Sequence, residues 1–257
     1  MNYEHLRVRS QGPLGWLEFN RPPRNAFHQP MVREVLEALL ALRAEPSVRV
    51  IALGSALDDS FSVGADLAAF AALGPGGMAQ WVAHVHDIAR ALHRSSKPLL
   101  AAIHGTAVGG GLEMTFHCDV RFAADDARLG LPEVNINFLP PIATTLSLPR
   151  LLGPHGAIRF LYEGVAVDAA RAREIGLVDE VVPRAELRAR VQGYGEALAA
   201  KPPEVLAAIR RCIREGLALD FEAALALEQE TVLELARSEN FREGVAAFLA
   251  KRKPVWK

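Results

Sequence analysis

The chain has 257 residues, with 29 Lys and Arg against 30 Asp and Glu and a formal charge of −1, so it has no global basic field for phosphate backbones and nucleic acid is not an expected partner. Half of the residues are apolar and 23% are charged, the balance of a packed globular protein and outside the disordered range. The length allows one large domain or two smaller ones, and size scaling gives a compact monomer a surface of roughly 11,000 Å².

The first fifty-odd residues read as strand, strand, helix, strand. Leu6 and Val8, then Leu14, Trp16, Leu17 and Phe19, form short β-type runs separated by the turn sequence Gln11-Gly12-Pro13. The segment from Asn20 to Asn25 contains Pro22 and Pro23, which block regular structure by fixing φ and restricting the preceding residue. Met31, Val35, Leu36, Leu39 and Leu42 keep the spacing of one helical face, and Val50 to Leu53 is a buried strand. A second round has a helical pattern from Met78 to Leu92 and a short strand from Pro98 to Ile103. It continues with Gly109-Gly110-Gly111 opening a helix to Cys118, and a strand from Val120 to Ala123. Strands alternating with helices predict an α/β fold with parallel pairing. From about Ile142 only Val178 to Val182 reads as strand. Helical segments follow, the last two marked by Phe221, Leu225, Val232 and Leu235, and by Phe241, Val245 and Phe248.

Cys118 and Cys212 lack CxxC spacing and are too few for a disulfide scaffold, so a reducing cytoplasm and no metal centre are expected. The first residues, Met1 to His5, have no apolar h-region, and no signal peptide is read there. The most apolar stretch, Leu99 to Met114, carries His104 and four glycines and falls short of a membrane span.

The glycine run at 109–111 is the most informative short stretch. Glycines between a strand and a helix allow close backbone approach, and a helix start presents free N–H groups with partial positive charge, a geometry suited to an oxyanion. The same residues equally describe a tight turn packed too closely for side chains. No GxGxxG fingerprint or P-loop is present, which argues against a nucleotide phosphate site. Phe61 to Leu67, containing Gly64, Ala65 and Asp66, offers a second turn of this kind soon after a strand. Two such turns could aim two N–H groups at one carbonyl oxygen; alone, the segment is a loop with Asp66 as a helix cap.

Glu113 lies among Leu112, Met114 and Phe116, and Glu133 follows Leu129-Gly130-Leu131-Pro132. Carboxylates are rarely buried without a partner or a purpose, and two meeting in a dry cleft would split their pKa values into a proton donor and an acceptor. Either could instead be a first-turn helix carboxylate. His84 and His86 fall on different helical faces with no third ligand, and no GxSxG or HExxH signature is present. Trp81 and Phe70 fit an acyl pocket or plain core, and Lys251-Arg252-Lys253 fits a phosphate contact or a helix end.

In order and spacing these motifs resemble the enoyl-CoA hydratase/isomerase (crotonase) family: Asn20-Arg21-Pro22, Arg24-Asn25-Ala26, Phe61 to Leu67, Lys97-Pro98, Ala101 to Gly105, Gly109 to Glu113, Cys118-Asp119-Val120 and Leu129 to Glu133. The resemblance runs from about Leu14 to the terminal Phe248-Leu249-Ala250-Lys251-Arg252. It implies a crotonase-like spiral of repeated ββα units over residues 1–195 and a helical region over 196–257 that builds a homotrimer or homohexamer. It implies an acyl-CoA substrate, with coenzyme A as part of that substrate and no separate cofactor; the near-zero charge and the lack of a long apolar span leave neither nucleic acid nor membrane as an expected partner. By position Ala65 and Gly110 match the oxyanion-hole residues, and Glu113 and Glu133 match the two glutamates of the hydratases. Arg24, Ser62, Val63, Gly64, Asp66, Leu67, Phe248 and Lys251 are the implied CoA-binding positions. Retention of both glutamates favours an enoyl-CoA hydratase. A double-bond isomerase, a decarboxylase, a hydratase of branched or dicarboxylic acyl groups, and a weakly catalytic CoA-ester or RNA-binding relative are the alternatives. One region departs from the family pattern: Asn137, Pro141 and Ala143 stand where glycine is expected. Pro141 has no N–H to donate, so the pocket wall under Glu133 is expected to differ.

Overall fold

The structure, a computed structural model, describes residues 2–257. The chain opens with β1 (Leu6–Gln11) antiparallel to β2 (Leu14–Phe19), followed by α1 (Gln29–Ala44). Three similar rounds follow. The first is β3 (Val50–Ser55), β4 (Ser60–Ser62), α2 (Leu67–Ala71) and α3 (Pro75–His93). The second is β5 (Leu99–Ile103), β6 (Thr106–Val108) and α4 (Gly110–Thr115). The third is β7 (Val120–Ala124), β8 (Arg128–Gly130), a 3₁₀ turn at Pro132–Ile136 and α5 (Thr144–Glu163). The spiral closes with β9 (Val167–Asp168), α6 (Ala169–Glu174) and β10 (Glu180–Val182). Four helices end the chain: α7 (Leu187–Ala199), α8 (Pro203–Gly216), α9 (Phe221–Ala236) and α10 (Glu239–Leu249).

Each of the three rounds places its first strand in a six-stranded sheet, ordered β1-β2-β3-β5-β7-β10, and its second in a four-stranded sheet, ordered β4-β6-β8-β9. That is the expected ββα spiral with a helical C-terminal region. From β2 to β10 the long sheet is parallel. Its strands are apolar on both faces, as parallel strands covered on both sides must be. Trp16, Val50, Ala52, Leu100 and Phe122 pack toward Leu187 and Val191 of α7. Their alternating neighbours Leu17, Ile51, Leu53, Ala101 and Ile103 join the main core with α1 and α3.

Sequence periodicity misses four strands, β4, β6, β8 and β9, because each is only two or three residues long, too short to show a period of two. The helix after the glycine run ends at Thr115 instead of reaching Cys118. The strand expected from Val178 is shortened to Glu180–Val182, with Val178 buried in the loop before it. Residue 195 falls inside α7, which packs on the long sheet. Among the described residues, no helix is long and apolar enough to cross a membrane.

Candidate active site

Two loops close on each other at the ends of β2 and β4. Arg24 O accepts the Val63 N–H (3.2 Å), Gly64 O accepts the Phe27 N–H (2.7 Å), and Phe27 O accepts the Asp66 N–H (2.8 Å). Ser62 Oγ donates to Asn25 O (2.9 Å) and accepts the Gly64 N–H (3.0 Å). This zipper leaves the amide of Ala65 without an acceptor among the described residues.

The glycine run forms the facing wall. The Gly109 N–H donates to Gly130 O (3.1 Å), and Gly109 O accepts the Glu113 N–H (3.0 Å) as α4 starts. Gly64 and Gly109 both have positive φ, +80° and +58°, and a Cβ on Gly109 would lie 3.0 Å from Gly64 Cα. The same Cβ would lie 2.9 Å from Glu133 Oε1, so glycine serves here both the backbone angle and the contact. As the first residue of α4, Gly110 has an N–H that no turn of the helix can use. The Ala65 and Gly110 amides therefore belong to two touching turns, and they could aim at one oxygen atom.

Both glutamates reach this place. A Cβ on Gly110 would lie 3.8 Å from Glu113 Oε1, while Glu133 Oε1 stands beside Gly109. Both line a cavity of about 240 Å³ whose other walls include Phe27, Phe70, Trp81, Val85, Met114 and Ile142. Glu113 is fully buried, and its Oε2 accepts the Ile142 N–H (2.7 Å) and the Thr144 hydroxyl (2.6 Å). Glu113 Oε1 and Glu133 Oε2 are buried without a hydrogen-bond partner among the described residues. Burial pushes Glu113 up to about 8, against the lowering effect of Thr144 and Ile142, with Glu133 adding a raising charge. Burial likewise pushes Glu133 up to about 7, opposed by its own amide. Two such carboxyls titrate as a pair that holds a proton near neutrality, able to give one and take one.

The loop that departs from the glycine pattern keeps the glycine conformation at two positions. Asn137 (φ +56°) and Ala143 (φ +54°) are both left-handed. Pro141 has no donor to lose, because the amide used on Glu113 is that of the next residue, Ile142.

The other candidates divide. Val63, Gly64, Ala65 and Leu67 line the cavity. Asp66 is committed elsewhere: it caps α2 through the Ala69 N–H (3.2 Å) and accepts from Arg21 (3.0 Å). Arg24 is exposed, with its guanidinium near Thr106 Oγ1 (3.3 Å). Phe248, at the end of α10, and Lys251, just beyond it, are exposed and do not line the cavity within one chain. Phe70 and Trp81 meet edge-to-face at 5.7 Å and wall the cavity, so they are core and pocket at once. Sequence reasoning passes over Thr144 and His117. His117 Nε2 meets Ile142 O at 2.9 Å. A Thr eleven residues after Glu133 carries no signal until the chain folds back onto α4. A larger groove of about 880 Å³ between α3, α5 and α8 contains neither glutamate, and its size alone gives it no chemistry.

The family model described as enoyl-CoA hydratase/isomerase matches residues 10–257. Crotonyl-CoA hydratase of Syntrophomonas wolfei is 32% identical over 254 residues, covering 98% of each chain. A crystal structure of an enoyl-CoA hydratase from Geobacillus kaustophilus superposes with a TM-score of 0.95 at 31% identity, over 100% of this chain and 98% of that one. One from Bacillus anthracis gives a TM-score of 0.94 at 29% identity, over 99% of each.

Proposed function

The chain belongs to the enoyl-CoA hydratase/isomerase family, and from that premise we propose that it adds water reversibly across the 2,3 double bond of a trans-2-enoyl-CoA. The observation that carries this reading is that both glutamates, each with a buried unpartnered oxygen, border one cavity beside the Gly109–Gly110 turn. In the proposed reaction the thioester oxygen takes hydrogen bonds from the Ala65 and Gly110 amides. A water held between the carboxyls gives a proton to one of them as its oxygen bonds to C3. The electron pair of the double bond moves toward the thioester and is held as an enolate by the two amides. The other carboxyl then delivers a proton to C2, so one water is consumed and the pair's proton count is restored. The CoA portion enters with the substrate, and the reading assigns no metal and no further cofactor.

Among the described residues, no Lys, Arg or His lines the cavity. A distal carboxylate on the acyl group would therefore be buried without a counter-ion, at a cost of several kcal/mol. The acyl group is accordingly assigned as apolar. At about 240 Å³ the cavity is smaller than the roughly 300–1,000 Å³ of whole-ligand sites and suits a short acyl chain, with the nucleotide outside. Arg24, the 62–67 turn, Phe248 and Lys251 are assigned to the CoA portion, the last two from the end of α10 and the residues just beyond it, or from their counterparts in another subunit of a trimer or hexamer. The test is a panel of enoyl-CoA esters of increasing length and of dicarboxylic esters, scored by product mass. Gain of one water on short apolar esters supports the reading. Unchanged mass with a moved double bond, loss of carbon dioxide, or turnover confined to dicarboxylic esters overturns it.

A further inference from the structure

Glu113 Oε2 accepts two donors, the Ile142 amide at 2.7 Å and the Thr144 hydroxyl at 2.6 Å, while Oε1 accepts none. The donors come from a single turn at the start of α5, where Ala143 is left-handed. That turn is pinned from its far side by His117, whose Nε2 lies 2.9 Å from Ile142 O. A carbonyl only accepts, so this nitrogen carries the hydrogen. Burial pushes His117 down to about 4, so the ring is neutral at working pH. The backbone of Ile142 is thus held at both its amide, by Glu113, and its carbonyl, by His117, and Thr144 is fully buried beside it.

We propose that Thr144 is a positioning residue for the proton transfer: with the Ile142 amide it keeps Glu113 Oε2 permanently engaged as an acceptor, so that Oε1 alone faces substrate and exchanges the proton. A hydroxyl that donates to a carboxylate favours its charged form. Thr144 thereby also opposes the effect of burial and keeps Glu113 able to ionise. Among the described residues, the only other titratable group lining the cavity is Glu133, from the 3₁₀ turn; His117 of the segment after α4 acts from behind, on the Ile142 carbonyl. Among the described residues, no cation lines the cavity or lowers Glu113 in the same way.

The mechanistic half of this proposal rests on the hydratase reading, but its electrostatic half does not, and the experiment separates them. Thr144→Val keeps the shape and removes the hydroxyl, and Thr144→Ser restores it. Infrared titration of the protonated-carboxyl band, assigned to Glu113 by its loss in Glu113→Gln, needs no substrate. In Thr144→Val the Glu113 midpoint is expected to move up by about one pH unit. With an enoyl-CoA the same variant is expected to lose kcat by about tenfold to a hundredfold, with KM within about twofold, and Thr144→Ser to recover most of the loss. If Thr144→Val does not fold, Thr144→Ala is compared with Thr144→Ser in the same way. An unmoved midpoint, or equal impairment of the hydroxyl-bearing and hydroxyl-free variants, would mean that Thr144 only fills space. A moved midpoint in a protein that hydrates nothing would sustain the clamp and sink the hydratase reading.

Discussion

Glu113 and Glu133 come from the first turns of two different helices, α4 and the 3₁₀ turn, and are raised because both enter the same dry cavity. Their burial is legible from their apolar neighbours along the chain, since a carboxylate flanked by Leu112 and Met114 has few ways to reach water. What holds Glu113 is not legible, because Thr144 and Ile142 are some thirty residues away. Raised carboxyls also have a consequence for stability. Below the ordinary value of 4.5 both are protonated in the folded and unfolded chain alike, and burial costs no ionisation energy. Above 4.5 the unfolded chain releases these protons, while the folded chain keeps them until about 7 and about 8. Stability from this pair is therefore present below 4.5 and is lost as pH rises through those folded values. Chemical denaturation of wild type and Glu113→Gln from pH 5 to 9 should show the variant gaining on the wild type as pH rises. Parallel curves would show that Glu113 is not raised.

At the scale of elements, the glycine turn and the 62–67 turn are visible in the sequence as separate pieces, and their contact is not. It depends on β4 and β6, three-residue strands that pair in parallel and carry too few residues to announce themselves. Gly109→Ala should therefore do more than strain one residue. Its Cβ would meet both Gly64 Cα and Glu133 Oε1, so we expect a loss of about 1–3 kcal/mol in stability and of about a hundredfold or more in kcat. Retained kcat would show that the two turns need not touch. Trp81, from α3, walls the cavity proposed to hold the acyl chain and meets Phe70, which also stacks edge-to-face on Phe138 at 5.0 Å. Trp81→Leu should raise kcat/KM for octenoyl-CoA relative to crotonyl-CoA by about tenfold or more. An unchanged ratio would place the chain-length limit elsewhere. The substituted loop teaches a related point: Asn137 and Ala143 adopt the left-handed angles that glycine would have supplied. A missing glycine in the sequence thus does not mean a missing turn, although a left-handed alanine costs about 1 kcal/mol.

For the whole molecule, the alternation of strands and helices reveals the α/β class, and the motif order implies the spiral. The arrangement of α8, α9 and α10 cannot be read in the same way, because their apolar residues do not all face the chain's own core. Ile213, Leu217, Phe221, Val232, Phe241 and Phe248 are exposed. The surface is 13,082 Å², about 2,000 Å² more than the roughly 11,000 Å² of a compact monomer of this mass. A standard stable interface covers roughly 800 Å² of each partner, so an excess of that size on one chain has room for contacts with more than one other subunit. Light scattering behind size exclusion should return three or six times the 27.9 kDa chain mass; a monomer at micromolar concentration would contradict the assembly we assign to these helices.

Joint addition of water to an enoyl thioester by Glu113 and Glu133 is tested most directly by crotonyl-CoA turnover in ¹⁸O-labelled water with product mass spectrometry. The wild type should incorporate one labelled oxygen at C3, and Glu113→Gln and Glu133→Gln should each slow incorporation by about 10²–10⁴-fold while still folding. Product without the label, or labelling at the wild-type rate in either variant, would contradict it.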